Sequence, residues 1–284
     1  MRKIFKKRWD KGLIGILIFL ILIAVVMALP IVYLTVTAFK PTEELFVYPP
    51  KFFVRNPTLR NFSSLMTSIS SSMVPFGRYL INSLIVSGAV VVGVLMISTL
   101  GAYPLAKHHF PGKNIIFNIV VASLMFAPEV IEIPRYILIS NLGIRDTYWV
   151  LILPQFCFPI GLFLMKQFME QIPDALFEAG KIDGANQWTI FWKLALPQVK
   201  PASATVIILT FIQIWNDTAS SSLYVQNEKI KVLPYFLNTI SGQGTSTAGT
   251  AAAAAFLMLI PTVVIFLIFQ KQVISTMAYS GIKS

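Results

Sequence analysis

Glu129 and Glu132 stand three residues apart inside "APEVIEIP", in the middle of an otherwise apolar run. At that spacing two carboxyls share one helix face. If the run crosses a membrane, charged groups at that depth must face protein or water, so the pair could line a vestibule, pair with Arg135 or relay a proton. Gln155, Gln213 and the triplet Trp215-Asn216-Asp217 also sit in apolar surroundings. Amides there need hydrogen-bond partners, either between helices or on a hydroxyl-rich solute. Asn216-Asp217 reads equally as the turn that ends a span. Glu129, Gln155, Gln213, Trp215, Asn216 and Asp217 are therefore the candidates for a polar solute path.

The usual catalytic constellations are missing. No G-x-x-x-x-G-K-[ST] occurs, since Gly112-Lys113 and Gly180-Lys181 both lack the earlier glycine and the following Ser or Thr. The chain is thus not expected to bind ATP through such a loop. His108 and His109 are the two histidines; as neighbours they cannot both turn to one metal, and no Cys or acid cluster joins them. No metal site is expected. Cys157 is the one cysteine and lies in an apolar run, where it reads as a small buried hydrophobe.

These residues must be held by membrane-spanning helices. The 284 residues are 56% hydrophobic and 12% charged, about half the charge of an ordinary soluble domain. Six stretches are long and apolar enough to cross as helices: 13–38, 79–106, 114–140, 147–169, 201–218 and 248–270. The expectation is an all-α polytopic membrane protein with six transmembrane helices. The first stretch follows a basic segment, yet its apolar run is too long for a cleaved leader, so it reads as a retained signal anchor. The net charge of +11 does not point to nucleic acid, because the basic residues are scattered and form no stripe interleaved with aromatics.

Orientation follows from Lys and Arg in short connections. With the N-terminus inside, the cytoplasmic side collects Arg2, Lys3, Lys6, Lys7, Arg8, Lys11, Lys107, Lys113, Lys166, Lys181, Lys193, Lys200, Lys271 and Lys283. Both termini are expected to be cytoplasmic. Residues 40–78 then form a long outer loop rich in Pro, Ser and aromatics, and 219–247 a second one. The alanine run Ala251–Ala255 opens the last span, where small residues permit close helix approach.

The cytoplasmic segment "DALFEAGKIDGANQWTIFWKLALPQVKPA" has more structure than a connector needs. Pro173-Asp174 is a good helix start, with an acid at the positive end of the dipole. Ala175, Leu176, Ala179 and Ile182 fall on one face, and Gly184 can take the left-handed turn that ends a helix. Gln187 to Leu196 forms a second piece carrying Trp188, Phe191 and Trp192, which Pro197 and Pro201 break. A helix–turn–helix with exposed aromatics on a membrane protein argues for a protein partner.

That segment resembles the EAA loop of ATP-binding-cassette importer permeases, whose pattern is E-A-A-x-x-x-G, nine residues, then I-x-L-P. Here it reads Glu178-Ala179-Gly180-Lys181-Ile182-Asp183-Gly184, nine residues, then Leu194-Ala195-Leu196-Pro197. The departures are Gly180 for the second alanine and Leu194 for isoleucine. "LPQFCFPIGLFLMKQFMEQIP" before the loop, "WND" and Leu233-Pro234 after it, and the closing "FLIFQKQVISTMAYSGIKS" are similar to the carbohydrate-uptake, maltose-permease branch.

The resemblance implies the type I ABC importer permease fold in a prokaryotic cell membrane. It divides the chain into an N-terminal segment with the first helix and outer loop (1–75), the transmembrane domain with its coupling loop at 173–201 (76–270), and a cytoplasmic tail (271–284). It implies transport and not enzymatic chemistry, with no cofactor held by this chain, since ATP and Mg belong to a partner ATPase. Glu178, Ala179, Gly180, Asp183, Gly184, Ala185, Leu194, Leu196 and Pro197 would form the ATPase-coupling element. The implied partners are a second, different permease, the ATPase subunits and an external solute-binding protein, with a carbohydrate, in particular an oligosaccharide, as cargo. The competing reading is a proton-coupled secondary transporter using Glu129 and Glu132.

Overall fold

Residues 11–49, 51–67, 74–244 and 247–281 are described in a computed structural model. The basic residues Arg2 to Arg8, positions 245–246 of the Gly-Thr stretch and Lys283 lie outside these. The described residues are helical and contain no strand. In chain order the helices are α1 (Lys11–Ala38), α2 (Thr42–Leu45), α3 (Arg60–Thr67), α4 (Phe76–Lys107), α5 (Lys113–Ser123), α6 (Pro128–Asn141), α7 (Tyr148–Ile152), α8 (Pro159–Glu170), α9 (Asp174–Ile182), α10 (Gln187–Ile190), α11 (Leu196–Gln198), α12 (Lys200–Trp215), α13 (Ala219–Tyr224), α14 (Leu233–Ser241) and α15 (Ala248–Gly281). Single 3₁₀ turns cover Leu153–Phe156 and Glu228–Ile230, and a π-helical turn covers Phe191–Ala195.

Three of the six expected spans are single helices: α1, α4 and α15 are each long and apolar enough to cross alone. The fourth is a bent pair, with Tyr148–Phe156 and Pro159–Glu170 meeting at 42°. The fifth, α12, follows Gln187–Gln198 at a 76° bend. The third expected span, 114–140, is two helices, α5 and α6, separated at 124–127. The cause is Pro128, which pushes the residue before it out of the helical region; Ala127 is extended at φ −67°, ψ 138°. The same logic corrects the expectation for Cys157. The chain leaves the helix ahead of Pro159, and the thiol in that break is exposed rather than buried.

The chain divides into two units. The first comprises residues 1–68 and 240–257. Its α1 is apolar all round and almost wholly exposed, as suits a helix solvated by lipid or by another membrane chain. At the end of α1, Ala38 packs on Ala252 and Ala253 of the alanine run, ringed by Leu34, Phe39, Phe62 and Phe256. Small side chains are needed here: a Cβ on Gly249 would come within 2.5 Å of the Asn61 side-chain oxygen.

The second unit comprises 69–239 and 258–284. Its core forms where α4 lies along α8 and α12, with Val86, Val90, Val94, Met165, Met169, Ala202 and Val206 buried between them. Gly93 and Gly161 allow the close approach, since a Cβ would meet the Phe156 ring at 2.2 Å in the first case and Ser98 Oγ at 2.7 Å in the second. Trp215 closes α12 against α15 by donating its indole N–H to the Met258 carbonyl at 2.9 Å.

One end of α4 is fastened by polar bonds to the segment after α13. The buried Asn82 amide donates to the carbonyls of Lys229 (3.0 Å) and Lys231 (2.8 Å), while its oxygen accepts from Tyr148 Oη at 2.7 Å. Arg78 donates to the Lys229 carbonyl, Tyr79 to Glu228, and the Leu233 N–H to Ser83 Oγ. Replacing Asn82 by Leu leaves the Lys231 carbonyl and the Tyr148 hydroxyl without this partner, each costing about 1–3 kcal/mol if water cannot replace it, while the Lys229 carbonyl keeps its bond from Arg78. Asn82→Leu is expected to lower the thermal unfolding midpoint in detergent clearly, and Ile81→Leu, at an exposed neighbour, to leave it unchanged.

Candidate coupling loop and polar interior

The loop between α8 and α12 builds itself from local rules. Pro173 is extended and Asp174 opens α9. At the other end Gly184 has φ +78°, a conformation open to glycine at little cost. Its N–H donates to the Lys181 carbonyl and the next N–H, of Ala185, reaches back to the Gly180 carbonyl, both at 3.0 Å. This paired arrangement satisfies the last carbonyls of the helix and reverses the chain. Asn186 then starts α10, its side-chain oxygen accepting the Thr189 N–H at 2.7 Å, a cap absent from the sequence analysis although Asn is a strong capping type.

The second helix widens into the π-helical turn Phe191–Ala195, where the Leu196 N–H reaches the Phe191 carbonyl. The turn lies directly before Pro197, which has no N–H to donate and whose ring crowds the carbonyl four residues back. The chain bends at the buried Val199 and α12 departs from there.

Phe177 and Gly180 are the inward residues of α9, with Leu176 half-buried, whereas Ala175, Glu178, Ala179 and Ile182 are exposed. The face expected to be apolar is thus mostly the outer one. Ile182 is 86% exposed, Trp188 64% and Trp192 also largely open, while Phe191 is buried. Asp183, Gly184 and Pro197 are exposed, Ala185, Leu194 and Leu196 half-buried. Gly180 has a packing reason: a Cβ there would lie 2.7 Å from Leu194 Cδ1. The two departures from the EAA pattern, Gly180 and Leu194, therefore touch each other.

The loop is clamped to the end of α4 by residues the sequence analysis did not single out. Lys107, its side chain buried, donates to the Asp174 carboxylate at 2.7 Å and to the Ile172 carbonyl at 2.6 Å, and its ammonium sits 5.1 Å from the Phe177 ring centre. One turn earlier Tyr103 donates to the Gln187 side chain at 3.1 Å and packs on Phe177 and Phe191. A cleft of about 460 Å³ opens beside this clamp, lined by His108, His109, Glu170, Glu178 and Lys181 among others. The hydrogen bond from Lys107, and after it that ammonium's charge and His109, hold the Asp174 carboxyl below its ordinary value.

The polar interior residues separate. Gln155 donates to Asp217 (3.1 Å) and Ser220 (3.2 Å), and the other Asp217 oxygen accepts the Ser220 N–H. Beside them Ser83, Ser87, Asp217 and Ser220 line a void of about 10 Å³, room for about one water. Trp215 is buried and stacked on Phe211. Gln213 and Asn216 are exposed, the latter bonded to the Ile212 carbonyl one turn back. Glu129 and Glu132 are exposed in the first turns of α6, and neither forms an ion pair with Arg135 among the described residues.

Residues 5–279 match the family described as "Binding-protein-dependent transport system inner membrane component". The chain belongs to this family. Among its relatives, the sn-glycerol-3-phosphate transport system permease protein UgpE of Yersinia pestis bv. Antiqua (strain Antiqua) is 30% identical, covering 89% of this chain and 91% of that protein. The arabinooligosaccharides transport system permease protein AraQ of Halalkalibacterium halodurans is 28% identical over 92% of this chain and 93% of its own length. A crystal structure of a bacterial ABC transporter that imports the acidic polysaccharide alginate contains a chain of the same fold, with a TM-score of 0.80, 22% identity, and 94% and 98% of the two chains covered.

Membership in the binding-protein-dependent family makes this chain an ABC importer permease, a membrane transport component and not an enzyme. It also leaves the proton-coupled reading of Glu129 and Glu132 without support. Within the loop the pattern glycine Gly184 and the departure Gly180 differ in kind. Gly184→Ala forces a Cβ into the left-handed region and is expected to cost about 1–2 kcal/mol of local stability. Gly180→Ala gains up to about 1 kcal/mol of helix propensity against a shift of the flexible Leu194 end, so it is expected to be near neutral. Amide exchange across 174–198 distinguishes the two. The Lys107–Asp174 bond adds a pH signature: a depressed carboxyl stabilises above its unfolded pKa and loses its contribution as pH falls through the folded one. Exchange protection of α9 is expected to be constant from about pH 5 to pH 8 and to decline only as the pH falls below about 3.9, the value of a free aspartate.

Proposed function

We propose that this chain is one permease subunit of an ATP-driven carbohydrate importer, and that the helix pair α9–α10 docks on a separate ATPase. The observation that carries this reading is the outward surface of the loop, where Glu178 stands among exposed Ala175, Ala179, Ile182, Trp188 and Trp192. An exposed surface that sets aromatic and small apolar side chains beside the Glu178 carboxylate suits a partner cleft that offers apolar contact and a basic residue. Ala179 permits close approach, Gly184 and Ala185 fix the turn, and Asp183 caps it on the water side. Leu194, Leu196 and Pro197 hold the second arm, while Gly180 and Leu194 lock the two arms together. ATP and Mg belong to the ATPase, and this chain holds neither.

The carbohydrate assignment draws on the relatives whose names specify arabinooligosaccharides and on the alginate importer fold. On this reading a second permease completes the pathway and an external solute-binding protein delivers the cargo, as in the solved complex of the alginate transporter with its pentasaccharide-bound periplasmic protein. The exposed Gln213, Asn216 and Glu129 are then the groups to meet solute hydroxyls. Gln155 and Asp217 brace the bend beside them, and Trp215 closes the packing behind. Both chain ends lie on the ATPase side.

Glu178→Lys tests the docking. Membrane insertion and expression are expected to be unchanged, the ATPase to be lost from the tagged permease in mild detergent, and uptake to fall at least about 100-fold, as when one partner of a buried ion pair is reversed. Normal uptake in that variant would remove Glu178 from the docking surface.

A further inference from the structure

The loop after α1 carries an aromatic surface that the transport reading does not use. Three of its polar side chains, those of Lys40, Glu44 and Asn61, bond back to the loop's own backbone. Lys40 is buried, donates to the Lys51 carbonyl and lies with its ammonium 5.6 Å from the Tyr33 ring centre. Glu44 accepts the Arg55 and Asn56 N–H groups, both at 3.0 Å, which depresses its carboxyl pKa, the Arg55 bond having the largest effect. Asn61 donates to the carbonyls of Ala38 (2.9 Å) and Lys40 (2.7 Å). These bonds fold residues 40–49 and 51–61 back onto the end of α1.

The aromatic side chains turn the other way. Tyr48 is 92% exposed, Phe53 70%, and Phe46 and Val47 are also largely open. Phe52 packs edge-on against Phe53 at 5.1 Å and lies 5.7 Å from the ring of Tyr33 in α1. Tyr33 stands five residues before the end of α1, about 7 Å down the helix axis. The loop therefore descends alongside the span instead of rising away from it. The apolar stretch of α1, Ile14–Ala38, is about 37 Å long against about 30 Å of hydrocarbon. Its last turns, and the rings beside them, fall at the lipid–water boundary.

We propose that Phe46, Tyr48, Phe52 and Phe53 form an interfacial anchor that inserts among lipid headgroups beside the end of α1. Aromatic rings are enriched at that depth because they are apolar in body and tolerate the polar boundary. Lys40, Glu44 and Asn61 are committed to backbone groups, and the exposed Lys51 and Arg55 suit a headgroup layer, where basic side chains keep their charge in the polar boundary. A partner that binds and leaves in each cycle would return three phenylalanines and a tyrosine to water every time, whereas the bilayer is always present. The surface is also continuous with the exposed apolar flank of α1. This inference depends only on α1 crossing the membrane and is independent of the docking of α9.

Depth measurement by electron paramagnetic resonance tests it in the full-length chain, reconstituted in phospholipid vesicles with Cys157→Ser to clear the background. A nitroxide is attached at Phe53→Cys and, separately, at Tyr48→Cys. A third site, Glu43→Cys, reports the charged side of the loop, where Glu43 faces Arg60 at 3.5 Å. Oxygen collisions are expected to exceed water-soluble nickel-chelate collisions several-fold at 48 and 53, with the order reversed at 43. Equal chelate access at all three sites would overturn the proposal. So would protection at 48 and 53 that arises only when the solute-binding protein or the second permease is added, since the surface would then be a protein interface.

Discussion

Helices in a bilayer gain nothing from the hydrophobic effect when they meet, because lipid is as apolar as leucine; close packing and hydrogen bonds must hold them together. The approach of α4 to α8 meets that constraint, and the rest of the larger unit is arranged around it. Gly93 receives the Phe156 ring, and Gly161 leaves room for Ser98. With the backbones this close, dispersion contacts sum along two full helices. The chain bends ahead of Pro159, and beside that bend the Gln155 side chain donates to Asp217.

Fastened along its middle by shape, α4 is fastened at both ends by charge and hydrogen bonds. Asn82 grips the segment before α14, and Lys107 grips the start of α9. The two lie 25 residues apart, which is about 37 Å of helix, so one rigid rod links the two faces of the unit. The two grips differ. Asn82 is neutral and fully bonded, which suits a site where an unpaired charge would be ruinous. Lys107 holds an exposed carboxylate, with its stem buried and its ammonium at the edge of water.

Much of this was readable in the sequence because the signals are local. Apolar length marks α1, α4 and α15, and Pro173 and Gly184 mark the start and end of α9 where they are observed; Pro197 instead lies within a helical turn, and the bend comes two residues later at Val199. The EAA spacing located the helix pair without any knowledge of its packing. What stayed hidden depends on tertiary neighbours. Gly180 reads as a weak helix former until Leu194 is seen across from it. Lys107 reads as a solvated loop cation, because nothing in one sequence says that position 107 lies beside position 174. Periodicity alone cannot tell the two faces of α9 apart for the same reason: it favours the regular row of Ala175, Ala179 and Ile182, yet Phe177 and Gly180 face inward. The third span reads as one helix because its apolar length outweighs Pro128, and Cys157 reads as buried until the break ahead of Pro159 exposes it.

The 76° bend at Val199 joins a short arm, Gln187–Gln198, to a long one, Lys200–Trp215. Mechanically this is a bell crank. The long arm has 16 residues and so is about 24 Å long; if the corner stays rigid, turning the short arm by about 10° swings the far end of α12 by about 4 Å, taking that helix length as the radius. At that far end stands Trp215, tied to Met258, so the stroke would be delivered to α15 as well. The π-helical turn Phe191–Ala195 lies beside the corner, and in such a lever any slack in it would subtract from the stroke.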